Sequence, residues 1–345
     1  MTYKPMAALQ EVAGPAGYAN GPVLQNRGRD KISWGKEIWD YIDMAVHDEC
    51  TRVRVAAKYL PIHPVPDHTT TVPADSVSAP AEEAGVIGAF AVDEGAVTRL
   101  IEFWVEFSLT PQQLEQESQI TNAHRGHSTA VTLATRAANL LVRAEDMIVF
   151  QGHAAFGTDF FQKNIRSRGV PADFGLLDII PAGADSSVPE LLGDQVITVE
   201  RSDTTSPVPV YGENTFKAVA QGYAVLQDKG HYGPYGLTLQ TVPFADTHAP
   251  LAGTLIMPAD RIQPLATAGF YGSGTLAAAT SPDLEPQFTG SMVSVGGNTV
   301  DLVVGTDATT AFMQQNVDGN YQFRMLERMA LRLKDISAVV RFEFQ

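Results

Sequence analysis

The sequence predicts an α+β fold, in which helices and strands are segregated along the chain instead of alternating strictly. Three segments carry apolar residues at helical spacing, around residues 34–53, 128–150 and 213–228. Residues 286–345 instead alternate apolar and polar side chains with a period of two, the pattern of half-buried strands. The chain has 345 residues and no internal repeat, so we expect one large domain with subdivisions, or two closely packed ones.

Residues 1–32 are predicted to form an extended N-terminal arm. They are rich in Gly, Pro, Ala and Asn and show no apolar period. In a monomer such a segment is poorly ordered, whereas in an oligomer it can lie across a neighbouring subunit. A helix is predicted within residues 33–62, where Ser33 is a suitable N-cap and Pro61 stops the helical pattern. The apolar stripe of this helix consists of Trp34, Ile38, Ile42, Val46 and Val53.

Residues 63–96 form a long segment of Pro, Thr, Ala, Ser and Gly with scattered Val and no helical period. A loop of this length inside a compact domain is unusual, so we expect an extended β-arm with a function of its own. Residues 97–157 follow, and they begin with a clear strand over 97–109. The strongest helix of the chain runs from Ser128 to Phe150. It is rich in small residues, which suits a central spine packed closely on both sides.

The second half of the chain mixes both kinds of element before it becomes β-rich. Within residues 158–285 the pattern predicts a helix over 213–228 and a strand over 237–242. Residues 286–345 are predicted to be strands. Four basic residues near their end alternate with apolar ones, so we expect them on the solvated face of a strand. These residues are Arg324, Arg328, Arg332 and Lys334.

Composition and charge disfavour several classes of protein. The formal net charge of −15 disfavours nucleic acid as a direct partner, because phosphate binding needs a concentrated basic surface. No apolar run approaches the roughly 20 residues that a membrane helix needs, so no membrane partner is expected. The first residues show no secretory signal. Cys50 is the only cysteine, which excludes an intrachain disulfide and fits a reducing, cytoplasmic location.

No pattern of catalytic or metal-binding residues stands out. His124 and His127 lie in a polar stretch without a third ligand beside them, which favours a solvated loop over a zinc site. The Gly-rich segment 269–274 lacks the context and the Lys-Ser/Thr ending of a phosphate loop. Cys50 is expected to be buried as a small apolar residue. The sequence therefore predicts no catalytic residue, no metal and no cofactor. An enzyme or ligand binder with an unrecognised α+β site is the less favoured alternative.

Short segments spread over residues 33–345 carry a family resemblance through their shared order and spacing, although none is specific alone. They are Trp-Asp-Tyr-Ile-Asp at 39–43, Pro-Gln-Gln-Leu-Glu at 111–115, Ala-Glu-Asp-Met-Ile-Val-Phe-Gln-Gly at 144–152, Gly-Pro-Tyr-Gly-Leu at 233–237, Gly-Gly at 296–297, Leu-Val-Val-Gly-Thr-Asp at 302–307, and Ile-Ser-Ala-Val-Val at 336–340. The chain departs from the pattern at Thr306, where the family usually has Gln. Together the segments resemble those of the encapsulins, the shell proteins of bacterial and archaeal nanocompartments.

The resemblance implies the HK97-like capsid fold that encapsulins share with tailed viruses. In that fold, residues 97–157 and 286–345 would form a peripheral domain, and most of 158–285 an apical domain. Residues 63–96 would be the extended loop that pairs with a neighbouring subunit. The implied function is self-assembly into an icosahedral, homo-oligomeric shell that encloses a cargo enzyme. Because the arm and this loop are longer than in compact family members, a major capsid protein of a tailed virus with the same fold stays open.

The resemblance also implies two sites. One is the loop that lines the pore at the fivefold axis and gates small solutes by size and charge. It contains Thr247, His248, Ala249 and Pro250. The other is an apolar groove near the end of the N-terminal helix, which would hold a short targeting peptide of the cargo protein. It contains Tyr59, Leu60 and Ile62.

Overall fold

The structure is a computed structural model of the chain. It describes residues 27–78, 91–93, 95–119, 128–169, 175–177, 194–202, 209–250, 255–276 and 288–345. Most of the predicted arm, the outer part of the predicted extended loop, and the pair His124 and His127 lie outside these residues. The described parts are of mixed α and β structure, as the sequence predicts.

The longer helices pack on the two sheets, and the longest of them is the spine helix. The N-terminal helix α1 begins at Lys36, after Gly35, so the predicted N-cap at Ser33 is wrong by one half-turn. The spine helix α3 begins after Ser128, whose hydroxyl accepts a hydrogen bond from the N–H of Val131, as expected of an N-cap. The helices are α1 (Lys36–Val53), α2 (Pro111–Ser118), α3 (Thr129–Gln151), α4 (Asp159–Asn164), α5 (Glu213–Asp228), α6 (Thr241–Thr247) and α7 (Pro258–Ile262).

The strands form two five-stranded sheets and two short antiparallel ribbons. The strands are β1 (Ile62–Pro64), β2 (Thr71–Pro73), β3 (Ser76–Ser78), β4 (Ala91–Asp93), β5 (Val97–Arg99), β6 (Ile101–Leu109), β7 (Arg166–Arg168), β8 (Val196–Val199), β9 (Tyr235–Gln240), β10 (Gly269–Ser273), β11 (Phe288–Ser294), β12 (Val300–Gln315), β13 (Tyr321–Leu333) and β14 (Val339–Phe344). The predicted strand over 97–109 is therefore divided at Leu100, where β5 leaves the sheet for a ribbon.

The first sheet has the strand order β1-β12-β13-β6-β7, and α1 and α3 pack on one of its faces. The long hairpin of β12 and β13 is its centre, and β6 runs antiparallel to β13 with Phe107 opposite Phe323. On this face Trp34 stacks on Phe323 with ring centroids 5.6 Å apart, and Trp39 lies beside both rings. The aromatic side chains join the N-terminal helix to the sheet, because their large apolar area leaves water only if they pack together.

The second sheet has the strand order β10-β9-β11-β14-β8 and is covered by α5, α6 and α7. Residues 286–345 were predicted to return to the peripheral unit, whereas their four strands are divided equally between the two sheets. Strands β12 and β13 lie in the first sheet, whereas β11 and β14 pair with β9 and β8 in the second. Period-two alternation cannot distinguish these cases, since a strand looks the same in either sheet.

The predicted solvated face of β13 is wrong at its carboxyl end. Arg332 and Lys334 are each only 5% exposed. Both bind the carboxylate of Asp301 on β12, at 2.7 Å each, and Arg332 also binds Asp75 at 2.7 Å. The root of the extended loop covers this part of the sheet, so the two cations are buried and paired. The period-two pattern correctly placed the basic residues on one face of β13, but it could not show that the root of the extended loop covers part of that face.

None of the helices in the described ranges is both long and apolar enough to cross a membrane.

Candidate functional site

The four residues predicted to line a pore lie at the end of α6. Thr247 is fully buried, and its hydroxyl donates to the carbonyl of Phe244 at 2.7 Å. His248, Ala249 and Pro250 are exposed. The His248 ring packs on Phe244, with 4.7 Å between ring centroids, and its Nδ1–H donates to the carbonyl of Phe244 at 3.0 Å.

The turn after α6 is held to the rest of the second layer by one carboxylate. Oδ2 of Asp246 accepts hydrogen bonds from the N–H groups of Tyr211 and Gly212, at 2.8 and 2.6 Å. Further along the chain, the side chains of Leu255 and Ile256 are 93% and 54% exposed. The end of α6 is thus anchored by Asp246, and Leu255 and Ile256 expose apolar side chains to solvent, a composition typical of surfaces that contact other chains.

The predicted extended loop begins and ends as a β-ribbon. Strand β2 pairs with β5, and β3 pairs with β4, both antiparallel. In the described residues neither pair joins a larger sheet, so each ribbon presents backbone groups on its outer edges. Val92 on β4 is 52% exposed and Val97 on β5 is 56% exposed. Two-stranded ribbons with exposed apolar side chains are marginal alone and are templates for pairing with another chain.

The last six residues of the predicted arm belong to the folded body. The N–H of Phe312 on β12 donates to the carbonyl of Arg27 at 3.1 Å. Arg29 binds the carboxylate of Asp43 through two bonds of 2.8 and 2.7 Å and lies 4.5 Å above the Trp39 ring. The arm boundary at residue 32 was therefore too late: the chain docks on the first sheet from residue 27.

The three residues predicted to line a cargo groove are placed together but are mostly inaccessible. Tyr59 and Leu60 are 6% and 3% exposed, and both belong to the main hydrophobic core. The Tyr59 ring lies against Gly236 of β9, and its hydroxyl accepts a hydrogen bond from Thr238 at 3.2 Å. Ile62 is half-buried and pairs with Leu302 as part of β1. Within the isolated subunit, a peptide cannot reach the side chains of Tyr59 and Leu60.

One Ser–His–Asp grouping occurs in the described residues. Nε2 of His231 lies 2.7 Å from the hydroxyl of Ser337, and that hydroxyl donates to Asp335 at 2.5 Å. In a catalytic triad the carboxylate binds the far nitrogen of the imidazole and orients it. Here the carboxylate binds the serine itself and the backbone N–H of Ser337. The grouping joins the turn after α5 to the start of β14.

The sequence analysis missed a cluster of buried charges where α1, α3 and the first sheet meet. Nε of Arg54, at the end of α1, binds Glu145 of α3 at 2.8 Å. Nη2 of Arg54 binds Glu327 of β13 at 3.1 Å and Asp307 of β12. A signal was present, since Glu327 lies between Met325 and Met329 in the apolar phase of β13. A charge in that phase needs a buried partner, which the linear pattern cannot identify.

Comparison with known proteins identifies the family. The chain matches the model of the family described as encapsulating protein for peroxidase over residues 24–166 and 197–330, well over half of its length. It is 26% identical over 213 residues to the type 1 encapsulin shell protein EncA of Myxococcus xanthus. That match covers 62% of this chain and 59% of the relative, so the chain spans about three fifths of the length of this curated relative.

Solved structures show the same fold. A virus-like particle from Pyrococcus furiosus is similar with a TM-score of 0.55 and 16% identity, over 89% of this chain and 100% of that one. The capsid of the Myoviridae phage XM1 is similar with a TM-score of 0.53 and 10% identity, over 85% and 92% of the two chains. The predicted HK97-like fold and the resemblance to encapsulins are both confirmed. The chain belongs to the family of encapsulating proteins, the shell proteins of encapsulin nanocompartments.

Proposed function

We propose that this chain is the subunit of a closed, icosahedral shell that forms from copies of itself in the cytoplasm and encloses a protein cargo. Its role is structural, and no step of catalysis is assigned to it. The family match carries this proposal. The geometry supports it, because contacts between different surfaces of identical copies close into rings and cages. The subunit offers several such surfaces, each exposed and each lacking a described partner within the chain.

Three features of the subunit are suited to contacts between copies. The outer ribbon of β3 and β4 stands away from both five-stranded sheets, with its edges open among the described residues. The tip beyond α6 exposes Leu255 and Ile256. Arg27, the first described residue of the arm, is anchored to β12. We infer that the ribbon pairs with a neighbour and that the arm crosses one.

Microscopy of the purified chain expressed alone tests the proposal. We expect uniform hollow particles in negative stain and a megadalton peak in size-exclusion chromatography. A homogeneous monomer or dimer at the same concentration would exclude the shell. The absorbance ratio of the particles at 260 and 280 nm then distinguishes a protein-filled compartment from a nucleic-acid-filled capsid.

A viral capsid subunit is the second candidate, because the fold is shared with the phage XM1 capsid. The net charge of −15 and the family match both favour a protein compartment. Packaged DNA would require counterions or basic surfaces to neutralise its phosphates. Particles rich in nucleic acid after nuclease treatment would support the viral interpretation.

The proposal includes a pore lined by the turn after α6. The exposed residues His248, Ala249 and Pro250 follow a helix that packs firmly on Phe270, so copies around a symmetry axis would present the same side chains to one opening. His248 is the titratable side chain among them. Its ring is fixed by the bond from Nδ1 to Phe244, and Nε2 would face the passing solute.

We propose that the cargo contacts the exposed flank of α1 instead of Tyr59 and Leu60. Met44 lies on that flank and is 54% exposed, an unusual burial state for a large apolar side chain on an amphipathic helix. A shallow groove of about 310 Å³ lies between α1 and α3, with one lining residue on α1 and four on α3. It is lined by Glu49, Thr135, Arg136, Asn139 and Leu140. A short targeting peptide with apolar anchors fits a surface of this kind.

The substitution Met44→Glu tests this placement. We expect particles to form normally, whereas the amount of cargo per particle falls by about tenfold or more, because one apolar anchor site is replaced by a charge. The measurement is the fluorescence of a reporter that carries the C-terminal tail of a co-purifying cargo. The matched control is Val317→Glu at the fully exposed turn between β12 and β13. Equal loading of M44E and wild-type particles would exclude α1 as the cargo surface.

A further inference from the structure

The buried charges around Arg54 form a joint between the N-terminal helix and the rest of the subunit. Glu145 and Glu327 are 1% and 0% exposed, and each binds the guanidinium of Arg54. Asp146, 2% exposed, accepts hydrogen bonds from the N–H groups of Val55 and Ala56, the nearer at 2.9 Å. The chain that leaves α1 is therefore attached to α3 and β13 through carboxyl groups.

Counting charges shows an excess of carboxyl groups in this joint. Arg54 is its one cation in the described residues, and it faces Glu145, Asp307 and Glu327, with Asp146 beside them. Asp307 is about one-third exposed and is solvated, whereas the other three carboxyl groups are buried. If all were ionised, three buried negative charges would share one guanidinium. Such a group neutralises by taking up a proton, since an unpaired buried charge is costly.

Hydrogen bonding leads to the same conclusion. Oε1 of Glu145 and Oε2 of Glu327 are buried and have no hydrogen-bond partner among the described residues. A carboxylate oxygen in this position would carry negative charge without a donor. A protonated carboxyl group is neutral and leaves less charge unsolvated. Two of the buried carboxyl groups therefore each have one oxygen that favours the protonated form.

Electrostatics agrees with the geometry. Burial raises the pKa of Glu327 well above its usual value, the negative charge of Glu145 raises it further, and Arg54 opposes both effects. Burial also raises the pKa of Glu145, and it raises that of Asp146 to about 8. The other titratable groups that face the cluster are Cys50 of α1 and Tyr59. Burial raises the pKa of both, so they stay neutral and supply no compensating positive charge.

We propose that the Arg54 joint holds at least one buried carboxyl proton in the folded subunit, and that losing it at alkaline pH releases the N-terminal helix from the spine helix and the first sheet. Ionisation adds a negative charge among carboxylates that share the single guanidinium of Arg54. The carboxylates then repel one another, and so do the elements that carry them. Water enters to solvate the charge, and the end of α1 is the part that can move outward. The segment that begins at Arg27 is bound to α1 through Arg29 and Asp43 and to β12 through Arg27 and Arg29, so release of α1 removes one of its two attachments.

The sign of the pH dependence follows from the direction of the shifts. A carboxyl group whose pKa is raised by folding binds more protons in the folded chain than in the unfolded chain. Stability is therefore highest at acidic pH and falls as the pH rises from about 4, the unfolded value, towards about 8. Asp301 has the opposite sign, because hydrogen bonds from Arg332 and Lys334 hold its pKa low, and its contribution is lost only in acid.

The substitution Glu327→Gln tests the proposal, because Gln mimics a permanently protonated Glu. We expect the thermal midpoint of E327Q relative to the wild type to be higher at pH 9 than at pH 6, with the difference growing by roughly 2–4 °C. The control Asp318→Asn removes one exposed charge at the turn between β12 and β13 and should leave the pH slope unchanged. If E327Q lowers the midpoint equally at both pH values, Glu327 is an ordinary ionised partner of Arg54 and the proposal is wrong.

Helix release has its own reporter. The chain has three tryptophans, of which Trp34 and Trp39 pack on Phe323. In a Trp104→Phe background these two alone report the docking of α1. Their emission should shift to longer wavelength between pH 7 and pH 9.5, and in E327Q the shift should be smaller. An unchanged spectrum up to global unfolding would contradict the release of the helix.

A measurement on the wild type keeps the proposal testable if E327Q fails to fold. Infrared spectroscopy in heavy water detects the C=O stretch of protonated carboxylic acids, separate from carboxylates. We expect this band at pH 7, where exposed carboxyl groups are ionised, and its loss at alkaline pH. Absence of the band at pH 7 would show that no buried carboxyl group is protonated, and the proposal would be wrong. These readouts concern the subunit, so they stand even where microscopy shows no shell; any alkaline loosening of particles rests in addition on the proposed function.

Discussion

At the scale of single residues, the fold depends on a few places where a side chain packs directly on a glycine backbone, and the sequence pattern does not predict them. A Cβ at Gly236 of β9 would lie 2.2 Å from the Tyr59 ring. The same ring stacks on Tyr271, with centroids 6.0 Å apart, and is buried. Because Gly236 has no side chain, the Tyr59 ring can pack directly on the backbone of the second sheet. This contact joins the chain after α1 to β9 and β10.

We expect Gly236→Ala to lower the free energy of unfolding by about 1–3 kcal/mol, because the buried Tyr59 ring and the β9 backbone cannot both stay in place. Gly157→Ala is the matched control, since nothing lies within 4 Å of a Cβ built there. Chemical denaturation followed by circular dichroism measures both. Equal midpoints for the two variants would show that Tyr59 shifts at no cost.

At the scale of elements, the ribbon of β3 and β4 is the part that gains most from a second subunit. The ribbon is joined to the body at its root, where Arg332 donates to the carbonyl of Pro73 and binds Asp75. A small apolar cluster of Val72, Leu100, Val303 and Ala330 supports the same root. Beyond the root, β3 and β4 form a two-stranded sheet of their own among the described residues. Its open edges are therefore suited to the strand pairing with a neighbouring subunit that we propose.

Replacing residues 76–93 by a short Gly-Ser turn tests this role. We expect a folded, soluble subunit whose thermal midpoint is nearly unchanged, because the root contacts are kept, but no closed particles. Microscopy and size-exclusion chromatography measure assembly, and circular dichroism measures the fold. A truncation of residues 1–26, which spares the docked segment from Arg27, tests the arm in the same way. Particles of normal size from both variants would refute the intersubunit role of these segments.

At the scale of the whole molecule, the two sheets carry different candidate surfaces. The first sheet, with α1 and α3, holds the arm and the ribbon, whereas the second sheet with α5, α6 and α7 ends in the turn of His248. We propose that the arm and the ribbon contact neighbours from the first layer, and that the second layer supplies the tip with Leu255 and Ile256 and the turn that lines the pore. The strong negative charge of the chain limits non-specific association until specific surfaces meet.

A pair of opposite charges at the predicted pore tests this division. We expect His248→Lys to speed, and His248→Glu to slow, the entry of an anionic quencher into shells that contain a fluorophore, because a ring of like charges attracts or repels the solute. Both variants should assemble normally, since the ring is exposed. High salt should reduce the difference. Equal entry rates for the two variants would show that solutes pass elsewhere.

The sequence alone determined the elements whose pattern is local. The boundaries of α5 match the prediction at both ends, and α3 differs from it by one residue at each end, because helical spacing, an N-cap and a following glycine are all visible along the chain. The buried state of Cys50 was predicted correctly as well, and the free thiol is 3% exposed. The family was recognisable from the order of short segments, which is also a linear property.

The tertiary structure decided what lies against each element. Glu145 and Asp146 are part of one resembling segment and Asp307 ends another, yet only the fold brings both to Arg54 and Glu327. It also buried Tyr59 and Leu60, which the resemblance had placed at a groove, and Arg332 and Lys334, which the period-two pattern had placed in solvent. Periodicity reports which side of an element a residue faces. Whether that side meets water or another element depends on contacts between residues far apart in the chain, and these are absent from any local pattern.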